Sequence, residues 1–189
     1  MSGPGPGAPP APAAAIGYIG LGSNLGDRHA HLIAALEGLD RGGAQVLRVS
    51  SLYETAPFGD FEGPQPDFLN AVAEIATALS AVELLALCKQ LEAARGRDFA
   101  APRHGPRPLD LDVLLLGEDV VSEGSLVIPH PGIRERRFVL EPLLELAPDL
   151  TLPDGTPLAP ALEACRDQEV TPAGALSDRF HSGGSAAGA

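Results

Sequence analysis

Two aspartates one residue apart, Asp110 and Asp112, interrupt the apolar run Leu109-Asp110-Leu111-Asp112-Val113-Leu114-Leu115-Leu116, and no other stretch constrains the fold as strongly. A short aliphatic run of this kind predicts a core strand. Side chains alternate across a strand, so both carboxylates should emerge side by side on one face, from the middle of the strand. Two buried like charges need protonation or a counter-charge, because desolvation and repulsion both disfavour the ionised pair. Two sources of positive charge are open. Arg95, Arg97 and Arg103 lie on the Gly/Pro-punctuated loop just upstream and Arg107 flanks the strand, and guanidinium forks match carboxylates well. The other source is a hard cation such as Mg²⁺, held by one or two carboxylates plus substrate phosphates, with arginines balancing the remaining phosphate charge.

The net charge of −12 argues against nucleic-acid binding through a broad basic surface. The arginines instead cluster between Arg95 and Arg107 and again at Arg134, Arg136 and Arg137, where an anion could be received locally. Cys88 and Cys165 have neither CxxC nor His-paired spacing, so neither a disulfide framework nor a zinc site is expected, and a cytoplasmic setting is. No segment approaches the length of a membrane span.

Residues 1–14 are Gly, Pro, Ala and Ser after the initial Met, a composition that predicts a disordered tail rather than a secretory signal. Residues 15–165 form the expected domain, and 166–189 a flexible C-terminal tail. Within the domain, Ala15 to Leu21 predicts a strand closed by the turn Gly22-Ser23-Asn24. Leu32, Ile33, Leu36 and Leu39 predict a helix, Gln45 to Tyr53 a second strand, and Glu54 to Pro66 a long loop. Phe68 to Leu79 predicts a third strand, Ser80-Ala-Val-Glu83 a capping box for a second helix, and the Asp-x-Asp run a fourth strand. Glu118 to Arg137 reads as irregular, Phe138 to Leu146 as helical despite Pro142, and Leu158 to Cys165 as a short last helix. The order is the split pattern of an α+β, ferredoxin-like βαββαβ sandwich with C-terminal additions.

Gly20-Leu-Gly22-Ser-Asn-Leu-Gly26 fails as a dinucleotide fingerprint, since Leu25 stands at the third glycine, and it lacks the Gly-Lys-Ser/Thr of a phosphate loop. A tight turn with Asn24 supporting nearby backbone fits it better. Taken together, Tyr18-Ile-Gly-Leu-Gly-Ser-Asn-Leu-Gly26, Ser50-Ser-Leu-Tyr53, Pro66-Asp-Phe-Leu-Asn70, Gly105-Pro-Arg-Pro-Leu-Asp-Leu-Asp112 and Ile128-Pro-His130 resemble the 6-hydroxymethyl-7,8-dihydropterin pyrophosphokinases of folate biosynthesis. The similarity runs from about Ala15 to Ala164 with its blocks in order.

That resemblance implies transfer of a pyrophosphoryl group from ATP to the pterin hydroxymethyl oxygen, with AMP released. It implies two Mg²⁺ ions between Asp110 and Asp112 and the ATP phosphates. Arg97 and Arg107 match catalytic-loop arginines, Glu92, His130 and Arg136 further positions at the nucleotide, and Thr55, Phe58, Phe68, Asn70 and Phe138 the pterin site. Read without the family, His130 is a residue between two prolines and Glu92 a helix-end acid. Two phenylalanines can stack on a flat heterocycle, and Asn70 offers a donor and an acceptor together. The implied partners are small molecules, with no nucleic acid and no membrane, acting on a monomer. His104, Phe99, Pro131 and Ser125 depart from frequent family residues and bear on nucleotide affinity and loop closure. The competing expectation is a ferredoxin-like nucleotide- or RNA-binding module without catalysis, against which acidity and the 4% aromatic content speak.

Overall fold

The computed structural model describes residues 13–59, 63–101 and 105–176. Most of the expected N-terminal tail, residues 177–189 of the C-terminal one and His104 lie outside the described residues. In chain order the elements are β1 (Ala15–Ser23), α1 (Arg28–Arg41), β2 (Ala44–Val49), β3 (Tyr53–Thr55), β4 (Phe68–Thr77), α2 (Ala81–Ala94) and β5 (Asp110–Leu116). There follow β6 (Val121–Glu123), β7 (Leu126–Ile128), α3 (Arg137–Leu146), α4 (Ala159–Ala164) and β8 (Thr171–Pro172). The architecture is mixed α and β around one antiparallel sheet of order β5-β1-β4-β3-β8, with β2 also paired to β4.

Period-2 alternation decides which side of the sheet each residue serves. Ile19, Leu21, Leu111 and Val113 face α1 and α2, packing on Leu32, Leu36, Leu39, Leu84 and Cys88. Tyr18, Val72 and Leu114 face the other way, onto Val139, Leu140 and Leu143 of α3. Each fully buried leucine or isoleucine in these layers contributes about 1.5–3 kcal/mol. Asp110 and Asp112 share the parity of Leu114, so both carboxylates open on the α3 side. The helices start where local chemistry satisfies their first amides. Asp27 accepts from Ala30 N at 3.0 Å, and the expected capping box forms reciprocally between Ser80 and Glu83.

Five expectations need correction. The first strand does not stop at Leu21: β1 continues through Ser23, because Gly22 and Ser23 still pair with Asn70 and Leu69, and the turn follows at Gly26 with φ 67°. The second strand is broken at Ser50, whose hydroxyl enters the ladder by accepting Val72 N at 3.0 Å, which separates β2 from β3. Asp110 opens β5 rather than standing mid-strand; Pro108 just upstream has no N–H to extend the ladder. Glu118 to Arg137 contains the hairpin of β6 and β7, reversing near Gly124 with φ 57°.

The fifth concerns the supposed tail. Residues 166–176 pack onto the domain: β8 pairs with β3, Leu52 N donates to Gly174 O and Ala173 N to Leu52 O, both at 2.7 Å, and Leu176 is buried in the main core. Leu52 and Leu176 supply the apolar burial that the Gly/Pro/Ala composition concealed. Cys88 and Cys165 are buried free thiols, and burial pushes Cys88 up to about 12. Among the described residues no helix is long and apolar enough to cross a membrane.

Candidate active site

A cleft of about 710 Å³, counting the open space at its mouth, lies between the α3 side of the sheet and the loop after β3. Of the residues singled out from sequence, Thr55, Phe58, Phe68, Asn70, Arg107, Asp110, Asp112, Arg136 and Phe138 all line it. Arg97, His130 and Glu92 are not in its lining, although Arg97 reaches Asp110 and His130 stands near Asp112.

The acid pair is asymmetric. Asp110, with 17% of its side chain exposed, is gripped by Arg97 Nη1 and by Arg107 Nη2, the latter at 2.6 Å. Asp112 is 36% exposed, and its nearest basic groups are the imidazole Nε2 of His130 at 3.8 Å and the guanidinium Nη1 of Arg136 at 3.9 Å, both beyond hydrogen-bond distance. Burial disfavours ionisation of both. At Asp110 the charges of Arg107 and Arg97 more than offset it and hold the carboxyl below the usual range. At Asp112 burial, joined by the negative charge of Asp110, prevails over His130 and Arg136 and pushes the carboxyl up. Arginines thus satisfy one carboxylate and leave the other open to the cleft.

The surrounding loops are pinned by polar contacts that local sequence does not display. Asn24 Oδ1 accepts Arg107 N at 2.7 Å, Asn24 N donates to Arg107 O at 3.2 Å, and Nδ2 donates to Pro66 O at 3.1 Å. Asn24 therefore serves distant loops rather than its own turn. Arg107 lies over the Phe68 ring at 4.9 Å. Its Nε is buried without a hydrogen-bond partner among the described groups.

Glu92, expected near the nucleotide, is fully buried and turned inward. Its Oε1 accepts Leu111 N at 2.8 Å and Arg97 Nη1 at 2.5 Å, while Oε2 accepts Lys89 Nζ at 2.8 Å. Burial pushes its carboxyl up, against the contacts of Lys89, Leu111 and Arg97. Both carboxylate oxygens are thus engaged inside the protein, one of them on Arg97, and the group does not line the cleft. His130 accepts Gly132 N on Nδ1 at 3.1 Å, which puts the proton of the neutral ring on Nε2, aimed toward Asp112. Burial lowers its pKa, opposed by Asp112, and favours that neutral form.

Across Gly22 from Asp110, Asn70 Nδ2 donates to Thr55 Oγ1 at 2.9 Å, leaving its carbonyl oxygen beside Gly22. Phe58 meets Phe138 edge to face, with centroids 5.9 Å apart, and Phe68 lines the same cleft. The residues sequence reasoning missed are Gly22, where a Cβ would come within 3.2 Å of Asn70 Oδ1, and Arg28, which ties Glu54 to Asp67 O.

Residues 18–148 match the family described as 7,8-dihydro-6-hydroxymethylpterin-pyrophosphokinase (HPPK). The chain is 42% identical over 149 residues to 2-amino-4-hydroxy-6-hydroxymethyldihydropteridine pyrophosphokinase of Pseudomonas aeruginosa, covering 78% of this chain and 90% of that one. It is 46% identical over 132 residues to the Bacillus subtilis protein of the same name, covering 69% and 77%. Against the folic acid synthesis protein fol1 of Schizosaccharomyces pombe it is 42% identical over 157 residues, which are 82% of this chain but only 21% of the fungal protein. The chain thus spans about a fifth of the length of such fungal relatives. Its fold is similar to that of a crystal structure of HPPK-DHPS in complex with substrates, with a TM-score of 0.63 at 11% identity over 80% of this chain and 43% of that one. A match reaching from β1 to the end of α3, with near neighbours in two bacterial proteins of similar length, makes this chain a member of the 7,8-dihydro-6-hydroxymethylpterin-pyrophosphokinase family.

Proposed function

We propose that this chain transfers the β,γ-pyrophosphoryl group of ATP to the hydroxymethyl oxygen of 6-hydroxymethyl-7,8-dihydropterin, a step toward tetrahydrofolate. The new bond joins the hydroxymethyl oxygen to the β-phosphorus, the bond from that phosphorus to the α,β-bridging oxygen breaks, and AMP leaves as the hydroxyl proton is lost. The observation that carries this reading is one cleft lined both by an incompletely neutralised acid pair and by the Asn70 amide with the rings of Phe58, Phe68 and Phe138.

Asp110 and Asp112 suit a hard cation, being oxygen donors on one face, and Asp112 has its nearest guanidinium nitrogen 3.9 Å away, beyond hydrogen-bond distance. Among the described residues no larger group of His, Cys, Asp or Glu is arranged to hold a metal, so a cation here would take its remaining ligands from phosphate oxygens and water. Bound Mg²⁺, two ions in this proposal, would supply charge neutralisation along the polyphosphate and at the departing oxygen. Arg97 and Arg107 are the catalytic arginines of the proposal, moving from Asp110 toward phosphate when the nucleotide arrives. Arg136 and His130 contact ATP from the other side, with Nε2–H of His130 as donor. Asn70, held by Thr55, reads the amide-like edge of the pterin, while Phe58, Phe68 and Phe138 hold its ring and exclude water. The sheet order around β1, with β5 and β4 as its neighbours and β2 beyond β4, supports the ferredoxin-like class for a domain of residues 15–165 plus the packed segment to 176. An RNA-binding module is disfavoured, because two aspartates occupy the place a phosphate backbone would need.

Incubation with ATP, Mg²⁺ and the dihydropterin should yield AMP in step with pterin diphosphate. Formation of ADP instead would overturn the proposal. Gly22→Ala should raise the KM for the pterin by about tenfold, because its Cβ displaces the Asn70 carbonyl, with the KM for ATP nearly unchanged. Equal increases in both constants in steady-state assays would remove Gly22 from the pterin wall.

A further inference from the structure

Helix α3 has Arg136 as its N-cap residue, whose own side chain provides no capping hydrogen bond, and its first turn has no acid. Its opening amide is satisfied from elsewhere. Gln168 Oε1 accepts Arg137 N at 2.8 Å, and Gln168 Nε2 donates to Glu135 O at 2.7 Å. The carbonyl of residue 135 and the amide of residue 137 flank Arg136, so one side-chain amide grips its backbone on both sides, as a neighbouring strand would. Arg136 is accordingly extended, with φ −120° and ψ 106°. The orientation of the Gln168 amide follows from the network, since only its oxygen can accept from Arg137 N and only its nitrogen can donate to Glu135 O.

Gln168 is itself anchored. The Arg137 guanidinium donates to Arg166 O at 3.2 Å and Gln168 O at 3.0 Å and pairs with Glu141 at 2.9 Å. Downstream, β8 joins β3, and β3 leads directly into Thr55 and Phe58 of the cleft wall. On the cleft side, Arg136 lies against Gly132 and over Phe138 at 6.0 Å, within 3.9 Å of Asp112. The segment that carries Gln168 lies beyond the 18–148 span that matches the family.

We infer that Gln168 is a positioning residue for ATP binding: its side-chain amide fixes the extended backbone of Arg136, and so the direction in which that guanidinium meets the polyphosphate. This rests on the proposed function in taking Arg136 to be an ATP contact. Gln168 touches neither substrate and acts only through Arg136.

The test is a double-mutant cycle on the full chain, with affinity for a non-hydrolysable ATP analogue and Mg²⁺ measured by calorimetry alongside steady-state kinetics. Gln168→Ala should weaken analogue binding and raise the KM for ATP by about tenfold, as expected for loss of two hydrogen bonds, with kcat within about twofold. In an Arg136→Ala background the same change should have no further effect on the affinity. Gln168→Glu keeps the acceptor for Arg137 N but sets a carboxylate against Glu135 O, and it should show the same loss with the same dependence on Arg136. An additive loss in the Arg136→Ala background, or unchanged affinity in both Gln168 variants, would overturn the inference. Failure of the unmodified chain to bind the analogue or to release AMP would instead count against the function proposed above.

Discussion

Asp112→Asn is expected to lower turnover by at least about 10³-fold, on the scale of losing a group that organises charge at a phosphoryl-type transition state, while leaving the melting temperature unchanged or raised. Asp110→Asn should reduce turnover comparably but lower the melting temperature. The opposite signs follow from the environments. The folded-state pKa of Asp110 is held down once the arginines offset its burial, so its ionised form contributes stability above the unfolded value of about 3.9, lost as pH falls below it. Replacing it strips Arg107 of its carboxylate partner and leaves Arg97 only Glu92, a cost of about 1.5–3 kcal/mol for charge-assisted hydrogen bonds. The pKa of Asp112 is pushed up by burial and by Asp110, so its contribution is present only below about pH 3.9 and is lost as pH rises through its folded value. At neutral pH the raised pKa makes this carboxyl a net cost to the free fold, which asparagine removes. Mg²⁺ with an ATP analogue should raise the melting temperature of the unmodified chain and fail to raise that of Asp112→Asn. Thermal scans at pH 7 with and without Mg²⁺, beside an AMP-release assay, check both. An Asp112→Asn protein with full turnover would remove the acid pair from the mechanism.

The same pair shows what sequence could and could not convey. Alternation alone put both carboxylates on one face, because a two-residue period is a property of any strand. It could not say that Asp110 would be consumed by arginines and Asp112 left open, since that depends on where two loop arginines turn. The capping box at Ser80 and Glu83 was legible because its partners are local in sequence. The staple at Asn24 was not, because Arg107 lies 83 residues away. Composition misled at the C-terminus: Gly174, Pro172 and Ala173 look unstructured, yet what orders them is backbone pairing with Leu52 and β3, which no side-chain pattern announces. The pterin-wall residues named by family resemblance all reached one cleft, but the inward turn of Glu92 was hidden behind an unremarkable helix-end position.

Glu92→Ala should be the most destabilising of the substitutions considered, by about 3–5 kcal/mol, as expected when one member of a buried ionic cluster is removed. For a domain of this size that corresponds to a fall in melting temperature of about 6–20 °C. Three donors lose their acceptor together: Leu111 N in β5, Arg97 on the loop and Lys89 on α2. A truncated side chain also leaves a void between α2 and the edge strand, which adds to the cost. Glu92→Gln keeps an acceptor for Leu111 N and most of the volume, so its loss should be clearly smaller. Activity should separate from stability here. Below the melting transition Glu92→Ala should retain pterin affinity, since no pterin-wall residue touches Glu92, yet turn over more slowly, because Arg97 is left with Asp110 as its sole carboxylate and loses the fixed side of its fork. Calorimetric melting of both variants, with single-turnover rates at 15 °C, reads the two effects independently. A Glu92→Ala protein that melts within a degree or two of the unmodified chain would show that this carboxylate does not bind α2, β5 and the catalytic loop into one unit.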